Sequence, residues 1–251
     1  MTPQQRARFL DAAAVLFDLD GVLTPTAEIH MRAWSELFTA ELARHGVQQQ
    51  YTDEDYFRFV DGRPRYDGVQ AVLESRGIDL PYGDPSDEAG AETVCGLGNR
   101  KNAVFSETLE REGIAPYPGS LALVDRLGVL GIPAGVVSSS KNARQVLEAA
   151  HLLDRFPVIV DGVVAADEGI AGKPAPDLFL TAAERLGVAP SRVIVVEDAV
   201  SGVAAGAAGG FALVVGVDRG VGAAALTDAG ADVVVSDLAE LLPAEAEKDG
   251  S

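Results

Sequence analysis

Val15-Leu16-Phe17-Asp18-Leu19-Asp20-Gly21-Val22-Leu23-Thr24 is the stretch whose reading decides the fold. An apolar run ends in two carboxylates two residues apart, and a glycine follows at once. Alternate side chains of a strand point to one side. Asp18 and Asp20 are therefore expected to leave the C-terminal end of a buried strand aimed at one place. That end is where open α/β sheets bind ligands. Two like charges held close repel, so the pair needs a cation or a shared proton. A hard ion such as Mg2+ suits, because it takes oxygen ligands and pairs carboxylates with phosphate. A strand ending in a solvated acidic turn would carry the same letters, so the rest of the chain has to decide.

Upstream, Met1 to Ala14 contains Arg6 and Arg8 but no long apolar core or cleavage pattern, so a signal peptide is not expected. Downstream the character changes. Thr24 to Thr26, with Pro25 inside, reads as a linker, and from Ala27 to about Ile114 no convincing strand appears. Ile29, Ala33 and Leu37, with Trp34 and Phe38, recur at helical spacing. Tyr56 to Val60, Val69 to Leu73 and Val94 to Leu109 are further helical candidates, broken by Gly46, Gly62, Gly77 and Pro81 to Pro85. The helical stretch is left through Ala115-Pro116-Tyr117-Pro118-Gly119, a second Pro/Gly linker. Two neighbouring linkers are what a hinged lid requires, and lids exclude water from reactive intermediates.

After Gly119, helices (Leu121 to Leu130, Ala143 to Leu153, Asp177 to Leu186, Val200 to Ala208) alternate with short apolar strands. The strands are Ile132 to Val137, Val158 to Val160, Val193 to Val196, Leu213 to Val217 and Val233 to Val235. That alternation predicts a parallel sheet covered on both faces. The tail after Leu242 is acidic and is expected to fray. The 251 residues, 47% hydrophobic, suffice for a large core with a smaller second unit. A net charge of -18 argues against nucleic acid or an anionic membrane as partner. It also demands that any phosphate site concentrate positive charge locally. Cys95, the one cysteine, has no partner for an internal disulfide and reads as a packing residue in a reducing compartment. The expectation is a soluble, cytoplasmic monomer.

Three later strand ends or loops complement the aspartates. Ser138-Ser139-Ser140 lies between a strand and a helix, where hydroxyls and free amides hold phosphate or simply cap the helix. Lys173 lies in Gly172-Lys173-Pro174-Ala175-Pro176-Asp177, a stiff loop. Its ammonium could neutralise a carboxylate and a transferring phosphoryl group, or lie in solvent as most lysines do. Glu197-Asp198 ends another strand, a second acidic pair suited to a metal or a second acidic turn. Singly each signal is weak; together, in this order, they are specific.

With these four motifs the chain resembles the haloacid dehalogenase superfamily across nearly its whole length. The resemblance implies an α/β fold, a Rossmann-like doubly wound parallel sheet core (1–26 and 115–251) with an inserted α-helical cap (27–114). It implies that Asp18 is the nucleophile that becomes an aspartyl phosphate and that Asp20 is the general acid/base. Mg2+ would be held by the Asp18 carboxylate, the Asp20 carbonyl and Asp198, with Glu197 in support. Ser138 and Lys173 would hold phosphoryl oxygens, which also answers the charge problem.

Thr26 to Trp34, Gly62-Arg63-Pro64-Arg65, Arg100-Lys101-Asn102, Ser139-Ser140-Lys141-Asn142 and Lys173 to Asp177 resemble the β-phosphoglucomutase subfamily. By that resemblance Arg65 would bind the distal phosphate of a sugar phosphate, Lys101 would reach towards the sugar, and His30 would couple cap closure to Asp20. Trp34 and Gly62 would line the cap side, with Ser139, Lys141 and Asn142 facing them from the core. A mutase holds a bisphosphate in two orientations and so needs a cap cation such as Arg65. His30 and Trp34 could equally pack a helix, and Arg63 and Arg65 could be turn charges. Lys101 has a polar, exposed-looking context with nothing to lower its pKa, which counts against a Schiff-base phosphonate hydrolase. Pro25 and Pro64 depart from the subfamily pattern, which expects an aspartate and a small polar residue there. They bear on the hinge and on substrate choice rather than on the core chemistry.

The remaining readings are a sugar-phosphate phosphatase on the same core and, from other classes, a non-catalytic binding protein or a dinucleotide-binding module. A dehalogenase would have no use for Asp20 and the second acidic pair. Gly220-Val221-Gly222-Ala223-Ala224-Ala225 follows a strand, but too little chain follows Asp237 for the second half of a dinucleotide fold. A retained catalytic set argues against the binding protein.

Overall fold

A computed structural model describes Gln5, Phe9 and residues 11–242. The expected acidic tail and most of the N-terminal stretch lie outside the described residues. Six strands, β1 (Ala14–Phe17), β2 (Ala134–Val137), β3 (Val158–Val160), β4 (Val193–Glu197), β5 (Leu213–Val217) and β6 (Val233–Val235), form one sheet. All pairings are parallel, in the order β3-β2-β1-β4-β5-β6. This is the doubly wound order, with its switch point beside the first strand.

Between β1 and β2 the chain runs through α1 (Thr26–Arg44), α2 (Arg65–Ser75), α3 (Val94–Glu112) and α4 (Pro118–Leu130). The later strands alternate with α5 (Ala143–Ala149), α6 (Gly162–Glu168), α7 (Asp177–Leu186), α8 (Val200–Ala208) and α9 (Ala223–Asp228). Strand side chains alternate between two buried layers. Val15, Phe17, Ile194 and Val196 pack with Leu123, Leu127, Val146 and Leu147. Ala14, Leu16, Val193 and Val195 pack with Leu178, Phe179 and Ala182. Covering both faces requires strands that are apolar throughout, which is how they read in sequence.

The helices after β1 carry a hydrophobic cluster of their own, built from Trp34, Leu37, Phe38, Tyr56, Val69, Leu73 and Leu97 among others. Ile29, Phe105 and Leu109 belong instead to the layer on the sheet, so α1 and α3 reach from one cluster to the other. Tyr56–Val60 is a π-helical turn, closed by the Asp61 amide donating to the Tyr56 carbonyl at 3.0 Å. Such turns recur where a helix has to aim a side chain at a site.

Several local outcomes differ from the sequence reading, α9 among them, where no helix was expected. α1 starts at Thr26, inside the expected linker, because Pro25 before it has its φ already fixed for a helix start. α5 stops at Ala149 rather than continuing to Leu153, because His151 adopts a left-handed backbone. α6 was not expected; the Asp161 carboxylate caps it by accepting from the Val163 and Val164 amides at 3.0 Å each.

Register positions the site. Phe17 of β1 aligns with Val136 of β2 on one side and Val196 of β4 on the other. The residues just beyond, Asp18, Ser138 and Glu197-Asp198, therefore emerge from one edge of the sheet. The Asp18 amide still donates to the Val196 carbonyl at 2.9 Å, and the Ser138 amide to that of Val160 at 3.0 Å.

Candidate active site at the C-terminal edge of the sheet

Asp18, Lys173 and Glu197 form a buried triad. Lys173 Nζ donates to Asp18 Oδ1 at 2.5 Å, to the Val137 carbonyl at 3.2 Å and to Glu197 Oε1. Glu197 Oε2 accepts from the Asp198 and Ala199 amides at 3.0 Å each. With both oxygens engaged, Glu197 acts as an anchor that fixes Lys173 and the Asp198 backbone. Burial alone would lower the Lys173 pKa, but Asp18 and Glu197 hold it above its ordinary value, so the ammonium stays charged. Burial pushes the Asp18 carboxyl well above the usual range despite Lys173, with Glu197 and Asp20 adding repulsion. Burial does the same to Asp198, reinforced by Asp61, Glu197 and Asp18.

Oxygens of Asp18, Glu197 and Asp198 lie within 4.8 Å of one another. Three buried carboxylates with one ammonium leave a charge deficit that a hard divalent cation would fill, and an all-oxygen donor set fits Mg2+. Gly21 is part of the same cradle. Its φ is +86°, and a Cβ there would overlap the Asp198 carboxylate.

Asp20 faces a second network. Thr26 Oγ1 donates to Asp20 Oδ1 and shares a 2.9 Å hydrogen bond with Thr24 Oγ1. His30 Nε2 is 3.5 Å from Asp20 Oδ1, and His30 Nδ1 meets Lys101 Nζ. With Lys101 as the donor to Nδ1, the imidazole proton sits on Nε2, facing Asp20. Burial tends to raise Asp20, but His30, Thr26 and Lys101 together hold it below its ordinary range. Burial and then Lys101 lower the His30 pKa.

Lys101 departs from the sequence expectation. It is 3% exposed, not solvated, and burial followed by Arg65 brings its pKa well down. Its ammonium lies 4.8 Å from the Trp34 ring centroid and 5.0 Å from that of Phe105. A polar run in sequence conceals this, because the burial is assembled from α1 and α3 together.

Arg65 begins α2, and its Nη2 donates to Asn102 Oδ1 at 2.7 Å. The same oxygen accepts from Asn142 Nδ2 at 2.6 Å, linking the helical insert to the loop after β2. Four further contacts join these parts. Ser139 Oγ donates to the Gly62 carbonyl at 2.8 Å, and Ser201 Oγ to the Asp61 carbonyl at 3.2 Å. A Cβ on Gly172 would stand 3.0 Å from Pro64 Cγ, so the departure at Pro64 rests against the lysine loop. Lys141 Nζ sits 5.7 Å from the Tyr66 ring centroid. Ser138 is buried, and its Oγ accepts from the Ser140 amide at 3.1 Å, which opens the loop as a turn.

One cavity of about 400 Å³ is lined by Asp18, Asp20, Lys101, Arg65, Ser138 and Asp198, among others. That volume suits a small phosphorylated metabolite. His30, Trp34, Gly62, Ser139, Lys141 and Asn142 also line it. Lys173 and Glu197 stand behind it, bonded to Asp18. Two residues were given no role in the sequence reading, although Asn102 stands in its Arg100-Lys101-Asn102 run. Asp61, at the cavity wall, has its carboxyl raised to about 7 by burial and then by Glu197. Asn102 carries the link between Arg65 and the core. Neither has a signal of its own in sequence: an acid before a glycine reads as a turn, and an Asn beside Lys101 as a solvated face.

The family model of haloacid dehalogenase-like hydrolases matches residues 12–210. A β-phosphoglucomutase of Mycobacterium tuberculosis is 50% identical over 96% of this chain and 97% of its own length. Hexitol phosphatase A of Escherichia coli is 33% identical over 78% of each chain. Among solved structures, a β-phosphoglucomutase from Clostridium difficile superposes with a TM-score of 0.73 at 27% identity, covering 92% of this chain and 93% of its own. No helix among the described residues is long and apolar enough to cross a membrane. The chain belongs to the haloacid dehalogenase-like hydrolases, in their β-phosphoglucomutase-like subfamily.

Proposed function

We propose that this protein is a Mg2+-dependent phosphotransferase acting through Asp18, and that its reaction is the conversion of β-D-glucose 1-phosphate to glucose 6-phosphate by way of the 1,6-bisphosphate. The observation that carries this reading is one cavity served by two cations, taken here as its two poles: Lys173, behind the wall and bonded to Asp18, and Arg65, on the wall and held by Asn102. A substrate with two phosphates needs both poles; a monoester needs one. The M. tuberculosis relative supports the choice of sugar.

In this reading Asp18 attacks phosphorus and carries the phosphoryl group. Asp20 protonates the leaving oxygen, then takes the proton from the attacking hydroxyl. His30 and Thr26 orient Asp20 for both tasks. Lys173 and Ser138 steady the phosphoryl oxygens. Mg2+, held by Asp18, the Asp20 carbonyl and Asp198 with Glu197 behind, would supply charge neutralisation at the transferring group. The helices from 27 to 114 act as the cap, the core being 1–26 and 115–251. The contacts at Gly62, Asp61, Asn102 and Pro64 are its closed seam, which keeps water from the aspartyl phosphate. The protein works as a cytoplasmic monomer on a small sugar phosphate, without nucleic acid or membrane.

A sugar-phosphate phosphatase is the second reading, favoured by the hexitol phosphatase relative and by Asp61, an extra carboxyl near the reacting end that could serve water. A paired assay separates the two. With β-glucose 1-phosphate, Mg2+ and a trace of bisphosphate, one channel reads glucose 6-phosphate and the other free phosphate. A mutase gives fast glucose 6-phosphate and little free phosphate. Free phosphate at an equal or greater rate identifies a phosphatase.

A further inference from the structure

The glycine-rich Gly220-Val221-Gly222 segment, superficially a dinucleotide motif, has another use in the fold. Asp218 Oδ1 accepts from the Gly220 and Gly222 amides at 3.0 Å each. Both glycines take positive φ, +122° and +97°. The loop is thereby curled into a fixed turn after β5, and what it presents is Arg219.

Arg219 reaches three places at once. Its Nε donates to the Gly21 carbonyl at 2.8 Å, directly after Asp20. Its Nη1 donates to the Ser236 carbonyl at 3.0 Å. Its guanidinium carbon lies 3.9 Å above the Tyr117 ring, in the second linker. The Tyr117 amide in turn donates to the Leu23 carbonyl at 2.9 Å, and Ser120 Oγ to the Val22 carbonyl at 2.6 Å. The next residue meets the helical insert, since a Cβ on Gly220 would stand 3.7 Å from Phe57 Cζ.

We infer that Arg219 is a positioning residue for phosphoryl transfer, which fixes the Asp20–Gly21 turn and ties that turn to the second linker at Tyr117. The inference rests on the role proposed for Asp20. Gly21 stands against Asp198 with no room for a Cβ, so a slack Gly21 carbonyl displaces Asp20 and Asp198 together. A rigid planar fork spent on two carbonyls and a ring can hold that turn; a flexible ammonium cannot do so at three points. Arg219 Nη2 is buried without a partner among the described residues, a cost that a residue serving only surface packing would avoid by turning outward.

The test compares Arg219→Ala and Arg219→Lys with the unsubstituted protein, using an aryl phosphate with Mg2+. A wrong choice of sugar leaves this assay readable. Displacement of a reacting group by about 1 Å costs roughly 100-fold. The expected result is a fall in kcat of about 30- to 100-fold for Arg219→Ala with KM changed less than threefold, and partial recovery in Arg219→Lys. Hydrogen exchange on the metal-free proteins should show the Gly21, Leu23 and Tyr117 amides exchanging at least about tenfold faster in Arg219→Ala, with the amides of β4 unchanged. That second readout does not depend on turnover, so it stands even if the reading of Asp20 fails. A kcat per folded chain within twofold of the unsubstituted protein, or unchanged exchange at those amides, would overturn the inference.

Discussion

Lys173 Nζ lies 2.5 Å from Asp18 Oδ1, in a place where neither group meets water freely. The pair sets both the electrostatics of the site and its fragility. Removing the ammonium leaves Asp18 and Glu197 buried without compensation, which costs on the order of 3 kcal/mol. Lys173→Met should therefore lower the thermal midpoint at pH 8 and abolish turnover, and the loss of stability should shrink at pH 5 as Asp18, already raised by burial, takes up a proton. Thermal denaturation at both pH values checks this. An equal loss at both would place the lysine's contribution in packing.

Arg65 tests the second pole of the cavity. Arg65→Ala should lower kcat/KM for the sugar bisphosphate by roughly 30- to 100-fold, because a bidentate charge-assisted contact is lost. Hydrolysis of a small aryl phosphate, which has no distal phosphate, should stay within about twofold. Arg65→Lys should recover only part of the loss, since an ammonium lacks the planar fork.

His30 holds Asp20 below its ordinary range together with Thr26 and Lys101. In His30→Gln burial prevails, and Asp20 takes its proton at a higher pH. In the proposed mechanism transfer from the phosphoenzyme to the sugar uses Asp20 as a base, so the acidic limb of its rate profile should move to higher pH. The rate at pH 6 should fall roughly 10- to 100-fold. A rate profile of unchanged shape would remove His30 from the acid/base apparatus.

Asp61 titrates near 7, against an ordinary value of 3.8. A carboxyl raised on folding keeps a proton that the unfolded chain has released. Its contribution therefore makes stability fall as pH rises from about 4 to about 7, and level off above that. In metal-free protein Asp61→Asn should remove that slope and stabilise the fold at pH 8 by on the order of 1–3 kcal/mol. Denaturant titrations from pH 4 to 8 measure it.

The grouping of the core residues was legible in sequence because strand register is simple. Residues just past the last apolar position of β1, β2 and β4 must appear at one sheet edge, so Asp18, Ser138 and Glu197-Asp198 could be grouped before any coordinates. Lys173 was legible from the stiffness of its loop. Burial created between elements distant in sequence was not legible. Lys101 looks solvated until Trp34 and Phe105 are set beside it, and Asp61 looks like a turn until the π-helical turn aims it inward. Arg219 was hidden for a different reason: its hydrogen-bond partners are backbone carbonyls, which leave no trace in side-chain patterns.

The central claim is that the phosphoryl group passes through Asp18. Rapid quench after mixing with labelled sugar bisphosphate, followed by peptide mapping by mass spectrometry, tests it most directly. The account predicts one acid-stable, hydroxylamine-labile phosphate per chain, on Asp18, absent in Asp18→Asn and still formed, more slowly, in Asp20→Asn. Turnover without label on Asp18, or label on Ser138 or another residue, would contradict it.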